Sequence, residues 1–368
     1  REDDVEIEDT SRVESVRPKG ELSRKRTVIE NQEDADAADE STWIAGTVTR
    51  IHGLYCYVDE ADGTTWECTV RRVLRTRAIE GRNAVIVGDR VRVAPTSAPG
   101  ETPRVGVIER VAPRSSELSR RDRRGKAHTI VANSDQLLIV ASVAQPGLKP
   151  HLIDRYIVAA LKGKLTPVIC FNKMDLAPAD DRIVEELEEM ADCDGVSTPL
   201  TIHAIIAEFR TLGYHCLETS AATGEGVAAL RDAIHGHTSV LSGQSGVGKS
   251  TLLNAVQPGL ALVTSAVSED NEKGRHTTTH AQLIRLEGGG FVVDTPGIRA
   301  FELWDVVPGE LEAYFVEFGR FLQHCHFNDC MHYQEEKCAV RDAAEAGTIS
   351  MRRYLSYTKM LEDSQPVR

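Results

Sequence analysis

The stretch Gly243-Gln244-Ser245-Gly246-Val247-Gly248-Lys249-Ser250 decides the fold of this chain. It fits the pattern G-x-x-x-x-G-K-[ST], and its context agrees, because an apolar segment precedes it and a helical segment, Thr251–Val256, follows it. Glycines in such a loop let the backbone wrap around phosphate with several N–H groups pointing inward. Lys249 would then reach the β- and γ-phosphates, and Ser250 would ligate Mg²⁺. The sequence therefore predicts a nucleotide-binding loop over residues 243–251.

A second motif, Asn172-Lys173-Met174-Asp175, distinguishes guanine from adenine. The Asp175 carboxylate can accept hydrogen bonds from guanine N1–H and the exocyclic amine, whereas adenine would leave the carboxylate unpaired. Asn172 can bond the other guanine edge, and the Lys173 stem can cover the ring. The triplet Thr219-Ser220-Ala221 follows a predicted strand and can offer a backbone amide to guanine O6. Alone it would be an ordinary helix-capping turn, but beside the first motif it supports a guanine site.

Two further segments are candidates for sensing the γ-phosphate. Asp294-Thr295-Pro296-Gly297 fits D-x-x-G, so Asp294 would hold Mg²⁺ through water and the Gly297 amide would face the phosphate. Gly274–Thr279 contains three consecutive threonines, and one of them would complete the Mg²⁺ shell. Spacing does not decide which, and we take Thr278 as the candidate.

The catalytic group is less clear from the sequence. Ile298 stands where many GTPases carry a glutamine that orients water, and isoleucine cannot do that. His276 is a candidate replacement, since imidazole can bond water near neutral pH. An exposed loop histidine is an equally good interpretation. The predicted catalytic set is therefore Lys249, His276, Thr278 and Gly297.

The order of the motifs is unusual. Those that read guanine (172–175 and 219–221) precede those that read phosphate (243–250, 277–279 and 294–297), the reverse of common GTPases. Such motifs occupy loops at one edge of a sheet, so the chain ends can move elsewhere while the site stays intact. Strand and helix patterns alternate around them, which predicts a mostly parallel sheet covered on both faces. We interpret residues 130–305 as a circularly permuted GTPase domain.

A cluster of metal-binding side chains follows in the predicted helical segment 306–368. Cys325-x4-Cys330-x-His332-x5-Cys338 supplies three thiolates and one imidazole. Tetrahedral zinc takes four such ligands, and a Cys₃His set leaves no open position, which is typical of a structural site. The alternative is four unrelated buried residues, and His324 and His326 flank the set as competing imidazoles. The pattern predicts one structural Zn²⁺.

The N-terminal third is divided by charge. Residues 1–40 carry 14 acidic and 7 basic side chains with little apolar periodicity, and we expect a disordered tail. Residues 41–126 carry 16 Lys and Arg against 10 Asp and Glu, although the chain as a whole has a net charge of −13. Five short apolar runs within 41–112 predict a small closed β-barrel of OB type. Residues 113–129 are expected to form a basic linker.

This basic block is a candidate RNA surface, since OB folds bind strands through basic and aromatic side chains. A solvated charged face is the alternative, and the aromatic residues could equally fill the barrel core. The candidate contacts are Arg71, Arg72, Arg75, Arg77, Arg120, Arg121, Arg123, Arg124, Lys126, Tyr55, Tyr57 and Trp66.

Length and composition limit the number of domains and the class of protein. A chain of 368 residues is expected to form two or three domains. Hydrophobic residues make up 41% and charged residues 27%, with a mean hydropathy of −0.27, as in soluble globular proteins. No apolar run approaches the ~18 residues of a membrane span, and the N-terminus lacks a signal pattern. We expect a cytoplasmic, monomeric protein without a membrane partner.

Together these motifs resemble the RsgA/YjeQ family of small-ribosomal-subunit-dependent GTPases. The resemblance covers about residues 43–362 and includes Pro113-Arg114, Leu118-Ser119-Arg120, the permuted motifs, Gly-Arg-His-Thr-Thr-Thr and the Cys₃His set. It implies a factor that binds the small subunit and its rRNA in the GTP state, hydrolyses GTP late in assembly, and leaves. It also favours His332 as the zinc ligand and makes Ile298 expected. The acidic tail and a long 176–212 segment depart from the family pattern.

Two other functions fit parts of the sequence. A nucleotide-regulated RNA-binding scaffold with little catalytic role would use the same motifs. Stimulation of GTP hydrolysis by purified small subunits would separate it from the GTPase. A P-loop kinase for a small molecule is opposed by Asn172–Asp175 and by the lack of an evident acceptor site.

Overall fold

The computed structural model describes residues 40–71, 74, 84–121, 127–178, 201–260, 281–294 and 307–364. The chain divides into two compact units, Arg1–Thr42 and Trp43–Arg368. In the first unit the structure describes the short 3₁₀ turn Glu40–Thr42. The predicted disorder of residues 1–40 therefore lies almost wholly outside the described residues, as does the segment 181–191, whose sequence pattern predicts a helix.

The second unit begins with a closed five-stranded barrel, as predicted. Its strands are β1 (Ile44–His52), β2 (Tyr55–Asp59), β3 (Thr65–Val70), β4 (Arg90–Pro95) and β5 (Arg104–Val111). They follow the order β1-β2-β3-β5-β4, and β4 pairs back onto β1 to close the barrel. Alternate residues point inward, so Val48, Val58, Cys68, Val93 and Ile108 are fully buried in the barrel core.

The fourth strand begins only at Arg90, although the apolar run whose pattern predicts this strand starts at Ala84. Residues 84–89 instead turn toward the next domain, and the fully buried Asp89 carboxylate accepts the Ile86 N–H at 2.8 Å. Gly88 has a φ of +90°, and a Cβ there would lie 2.0 Å from the Ala132 carbonyl oxygen. A glycine at residue 88 therefore allows the close approach of the two backbones.

Residues predicted as a linker form a hairpin of β6 (Glu117–Arg121) and β7 (Ala127–Ala132). Arg114 makes a bidentate ion pair with Asp89, at 2.7 and 3.0 Å. Leu118 of the hairpin is buried in the apolar cluster of the following domain. The connection between the barrel and the next domain is thus held by side-chain packing and by the Arg114–Asp89 ion pair. Charge composition alone does not indicate these contacts.

The central sheet contains six strands in the order β10-β9-β8-β11-β13-β12, parallel except for β12. Its β12 edge pairs with β1 of the barrel at Arg50 and Gln282. The strands are β8 (Gln136–Ser142), β9 (Thr166–Asn172), β10 (His215–Glu218), β11 (Thr238–Ser242), β12 (Gln282–Arg285) and β13 (Phe291–Asp294).

Helices cover both faces of this sheet, as the alternating pattern predicts. Leu137 and Ile139 of β8 belong to the apolar cluster that holds α1 (Pro150–Lys162) and α2 (Ile202–Thr211). Leu138 and Val140 belong to the opposite cluster, with α3 (Val227–Ile234) and α4 (Lys249–Val256). The period-two alternation of strand side chains explains why a continuously apolar β8 serves two cores.

The C-terminal segment is helical and packs on α1. It comprises the 3₁₀ turn Pro308–Tyr314, α5 (Gly319–Leu322), α6 (Ala339–Glu345) and α7 (Met351–Ser364). The contact centres on the fully buried Asp154 of α1, whose two carboxylate oxygens accept from Arg352 at 2.7 Å and Arg353 at 2.6 Å. None of the helices in the described ranges has the length and apolar content needed to span a membrane.

Replacing Asp154 with asparagine should lower the free energy of unfolding by about 3–5 kcal/mol, because two buried guanidinium groups lose their shared partner. Urea denaturation measures this, with Asp232→Asn on the exposed surface of α3 as the matched control.

Burial alone would raise the pKa of Asp154, but Arg352 and Arg353 outweigh it and hold that pKa below its ordinary value. The carboxylate therefore stabilises the fold above its ordinary pKa, and this is lost as pH falls through the lowered one. Equal acid sensitivity of both variants would contradict this role.

Candidate functional site

The predicted phosphate-binding loop connects β11 to α4. Gly243, Gly246 and Gly248 all have positive φ, at 142°, 81° and 95°. A Cβ at Gly243 would lie 2.2 Å from the Val140 carbonyl oxygen, so only glycine fits where the loop leaves the sheet. Lys249 begins α4, and its Nζ donates to the carbonyls of Gly243 and Gln244, each at 2.7 Å. The loop thus curls around a lysine ammonium at a helix N-terminus, the arrangement that binds phosphate.

The other side chains of the loop differ in their exposure to solvent. Val247 is buried and packs into the apolar cluster beneath α4. Ser245 and Thr251 are exposed, while Gln244 and Ser250 are half-buried. Ser250 lies in the first turn of α4, beside Lys249. The hydroxyl that is predicted to ligate Mg²⁺ therefore lies at the same helix end as the ammonium.

Asn172 joins the phosphate loop to the guanine loops. It is 1% exposed at the end of β9, and its Nδ2 donates to the Val247 carbonyl at 2.8 Å. Its Oδ1 accepts from the Thr219 hydroxyl and from the Ala221 N–H, both at 3.3 Å. The sequence predicts a contact between Asn172 and the base, but not this bridge between three loops. A polar residue ending an otherwise apolar strand is the signal that could have indicated it.

Lys173 and Asp175 extend from the same loop toward solvent. Lys173 adopts a left-handed conformation, with φ of 64°, and its Nζ donates to the Gln145 carbonyl. Burial lowers the pKa of Lys173, and the nearby Asp175 opposes that shift. Asp175 is exposed, and no residue of the described ranges donates a hydrogen bond to its carboxylate. Its oxygens are therefore available as acceptors, as recognition of guanine requires.

The third loop lies against the first. Thr219 donates its N–H to the Phe171 carbonyl at 2.8 Å, and Met174 donates to the Thr219 carbonyl at 3.1 Å. Ser220 is fully buried, and its Oγ accepts the Thr223 N–H at 3.1 Å. These bonds hold Ser220 and Ala221 beside Asn172, so the two guanine motifs are brought together as predicted.

Several predicted site residues lie outside the described residues: His276, Thr277, Thr278, Thr279 and Gly297. Asp294 is the last residue of β13, and the structure describes its backbone. Val293 pairs with Val240 of the parallel β11, so Asp294 follows at the sheet edge where β11 enters the phosphate loop. The fold thus brings the backbone of Asp294 to the same sheet edge as the start of the phosphate loop.

The four predicted zinc ligands form one cluster, and their ligand atoms all lie within 4.8 Å of one another. His332 Nδ1 is 3.5 Å from Cys325 Sγ and 3.4 Å from Cys338 Sγ. A tetrahedral zinc with Zn–S bonds of about 2.3 Å needs ligand atoms about 4 Å apart, so the set fits this ion. Burial, together with the neighbouring thiols, raises the pKa of Cys330 to about 12, and a bound cation would reverse that.

The competing histidines do not join this cluster. His324 and His326 are both exposed, whereas His332 is 2% exposed and has a φ of 56°. Tyr354 donates its hydroxyl to the His332 carbonyl at 2.9 Å, which fixes the strained backbone from α7. The geometry supports the choice of His332.

Glu312 contacts the cluster from outside, and no sequence pattern indicates this contact. Its Oε2 lies 2.7 Å from His332 Nε2, the ring nitrogen that faces away from the thiols. A carboxylate in this position accepts the Nε2–H and leaves Nδ1 unprotonated for the metal. Glu312 belongs to the turn Pro308–Tyr314, 13 residues before the first cysteine, so spacing within the cluster gives no signal for it.

Replacing Glu312 with glutamine should weaken zinc binding by about 10–100-fold, the usual effect of removing such a partner. The dissociation constant is measured by competition with a chromophoric chelator. Glu310→Gln in the same turn is the matched control, since Glu310 is exposed and faces Lys162 at 3.8 Å. Equal zinc affinity of both variants would show that Glu312 does not orient the histidine.

The chain is similar to a known protein family and to several of its members. A family described as RsgA GTPase matches residues 111–304. The small ribosomal subunit biogenesis GTPase RsgA of Yersinia enterocolitica is 37% identical over 326 residues, covering 88% of this chain and 86% of that protein. The protein of the same name from Gemmatimonas aurantiaca is 39% identical over 325 residues, covering 88% and 98%.

Two solved structures share the fold. The crystal structure of YjeQ from Thermotoga maritima has a TM-score of 0.67 and 35% identity, covering 89% of this chain and all of that one. YloQ, described as a circularly permuted GTPase, has a TM-score of 0.63 and 26% identity, covering 90% and 99%. The chain therefore belongs to the RsgA GTPase family.

Proposed function

We propose that this GTPase acts in late maturation of the small ribosomal subunit, binding the subunit in the GTP state and leaving after hydrolysis. The proposal depends most on the hydrogen bonds of the Asn172 amide, which join the guanine loops to the phosphate loop. Motifs far apart in a permuted order thereby form one nucleotide site. The relatives named for small-subunit biogenesis support the choice of partner.

In the nucleotide site, each side chain has a proposed role. Asp175 accepts from guanine N1–H and the amine, Lys173 covers the ring, and the loop of Ser220 and Ala221 lies beside the O6 edge. The amides of residues 243–251 and the Lys249 ammonium hold the phosphates. Lys249 already lies among the loop carbonyls, so the ammonium has a short distance to travel to a phosphate oxygen.

Hydroxyl and carboxylate oxygens suit Mg²⁺, and the proposed ligands are Ser250, Thr278 and Asp294. A bound Mg²⁺ would neutralise charge on the β- and γ-phosphates. The Gly297 amide faces the γ-phosphate, and His276 orients the attacking water.

In the C-terminal segment, we propose that Cys325, Cys330, His332 and Cys338 hold one structural Zn²⁺. Cys338 is the N-cap of α6, and its Sγ accepts the Arg341 N–H at 3.4 Å, so the ion would tie that helix to the preceding turns. The segment also has an apolar cluster of its own, centred on Phe315, Phe318 and Tyr357, and a bound ion would stabilise it further.

The proposed division of the chain follows these sites. Residues 1–40 form an acidic tail, 41–112 the RNA-binding barrel, 113–129 the connection, 130–305 the GTPase domain and 306–368 the zinc-binding domain. Arg120, Arg121, Arg123, Arg124 and Lys126 remain candidate RNA contacts. We also propose that the protein is cytoplasmic and monomeric when it is not bound to the ribosome.

The proposed binding in the GTP state and release after hydrolysis are tested by measuring affinity for purified small subunits. The measurement is made with a non-hydrolysable GTP analogue and with GDP. We expect co-sedimentation at least about tenfold tighter with the analogue, since release on hydrolysis requires differential affinity of that order. Large subunits serve as the control for non-specific RNA binding. Equal affinity in both nucleotide states would contradict the cycle.

A further inference from the structure

The loop that follows β8, residues 143–149, lies between the phosphate loop and the guanine loops, because β8 lies between β11 and β9 in the sheet. On the guanine side, Val143 donates its N–H to the Asn172 carbonyl at 3.0 Å. On the phosphate side, a Cβ at Gly246 would lie 3.6 Å from Pro146 Cδ, an ordinary van der Waals distance. This segment, the β8 loop, therefore borders the proposed nucleotide site, although none of the predicted motifs includes it.

One hydrogen bond joins the β8 loop to the side chain that is predicted to cover the base. The Nζ of Lys173 donates to the main-chain carbonyl of Gln145. Gln145 itself is exposed, and its side-chain amide has no hydrogen-bond partner in the part of the chain that the structure describes. Gln145 therefore acts on Lys173 through its backbone and not through its side chain.

The direction of the Gln145 carbonyl depends on an uncommon backbone conformation. Gln145 has a φ of 50°, in the left-handed region that few residues other than glycine adopt. The preceding carbonyl, that of Ala144, accepts instead from the buried hydroxyl of Ser142 at the end of β8. Two successive carbonyls thus have different partners, and the left-handed turn at Gln145 directs the second one to Lys173.

The backbone on both sides of Lys173 is held by other contacts. Asn172 bonds to two further loops, and Met174 donates its N–H to the Thr219 carbonyl at 3.1 Å. The long, flexible stem of Lys173 is what remains to be placed, and fixing such a side chain costs conformational entropy. A contact with Gln145 that exists before the nucleotide binds removes that cost from the binding step.

We propose that Gln145 is a positioning residue for guanine recognition, whose carbonyl holds the Lys173 ammonium so that the lysine stem lies along the base. This role rests on the proposed function, in which Lys173 covers the ring. The base is common to GTP and GDP, so the contact should strengthen both complexes equally. It should not alter the hydrolysis of bound GTP, because the proposed contacts of Lys173 are with the base and not with the phosphates.

The test compares two substitutions of Gln145. Gln145→Val places a β-branched side chain at a φ of 50°, which such residues avoid, so the carbonyl should turn away from Lys173. Gln145→Asn is the conservative variant, since asparagine is enriched in the left-handed region. Displacement of a fluorescent guanine nucleotide measures affinity. We expect Gln145→Val to lower affinity for GTP and for GDP by about tenfold, as for one lost charge-assisted hydrogen bond, and Gln145→Asn to bind like the wild type.

Lys164→Val is the matched control for backbone strain. Lys164 is exposed and has a φ of 59°, in the turn before β9, at the other end of that strand from the guanine loop. This variant should keep full affinity for both nucleotides. The loss in Gln145→Val should appear in KM and not in kcat at saturating GTP. A fall in kcat, or an equal loss of affinity in Lys164→Val, would overturn the proposal.

Lys173→Met tests whether Gln145 acts through the ammonium. Methionine keeps an apolar stem but cannot donate to the carbonyl. In the Lys173→Met background we expect Gln145→Val to change GTP affinity by less than about twofold, because the contact that it disrupts is already absent. A further tenfold loss in that background would mean that Gln145 acts in another way, and would overturn the proposal. General loosening of the fold by Gln145→Val would give this second result, since it would appear in both backgrounds.

The remaining outcomes separate this role from the proposed function. Wild-type affinity of Gln145→Val beside weakened binding by Lys173→Met would overturn the role of Gln145 alone. Equal losses in Gln145→Val and Gln145→Asn would also overturn it, because the left-handed backbone would not be the cause. Full GTP affinity of Lys173→Met would overturn both the contact with the ring and the role of Gln145. Equal affinity of small subunits for the two nucleotide states would contradict the proposed function, while the nucleotide measurements would still decide the role of Gln145.

Discussion

Asp175→Asn is expected to lower GTP affinity by about 100-fold or more, because the base loses two bonds to a charged acceptor and meets an amide donor. Asp175 is exposed and makes no side-chain bond to the described protein, so the variant should fold normally. Affinity is measured by displacement of a fluorescent guanine nucleotide. Xanthosine triphosphate, which offers a carbonyl where guanine has an amine, should bind the variant better than GTP does. If the variant keeps full GTP affinity, or if the wild type binds ATP equally well, Asp175 does not read the base.

The second large effect concerns the Cys₃His cluster. Cys330→Ala should release the metal and loosen residues 306–368, since structural zinc sites contribute directly to folding. Metal analysis should give one zinc per wild-type chain and a substoichiometric amount in the variant, and limited proteolysis should cut the C-terminal segment. GTP affinity should stay nearly unchanged, because the guanine and phosphate loops lie on other elements.

His326→Ala is the matched control for this experiment. His326 flanks Cys325 in sequence but is exposed and outside the cluster. It should keep one zinc per chain and the same proteolysis pattern as the wild type. Substoichiometric zinc in freshly purified wild-type protein would contradict the assignment, as would zinc retained at full occupancy by Cys330→Ala.

Much of the fold could be predicted from local patterns. The barrel strands, the alternation around β8 and the helix that begins at Lys249 all follow from periodicity and glycine placement, and the structure confirms them. The four predicted zinc ligands are close in sequence, so spacing alone indicates the cluster that the structure shows. These features depend on residues that are near one another along the chain.

The structural features that the sequence does not indicate depend on contacts between residues far apart along the chain. The late start of β4 follows from Asp89 pairing with Arg114, 25 positions away. The carboxylate of Glu312 meets His332 from a separate turn, and Asn172 meets Val247 across 75 positions. A bulge at Glu109 likewise requires knowledge of the partner strand. No local pattern specifies such pairs, because each is set by how elements pack.

The most direct test of the central claim is the rate of GTP hydrolysis with and without purified small ribosomal subunits. We expect slow turnover by the protein alone and at least about a tenfold increase with stoichiometric small subunits, as when a partner completes a catalytic site. Large subunits should give no increase. Turnover that is the same with and without small subunits, or equally raised by large ones, would contradict a small-subunit-dependent GTPase.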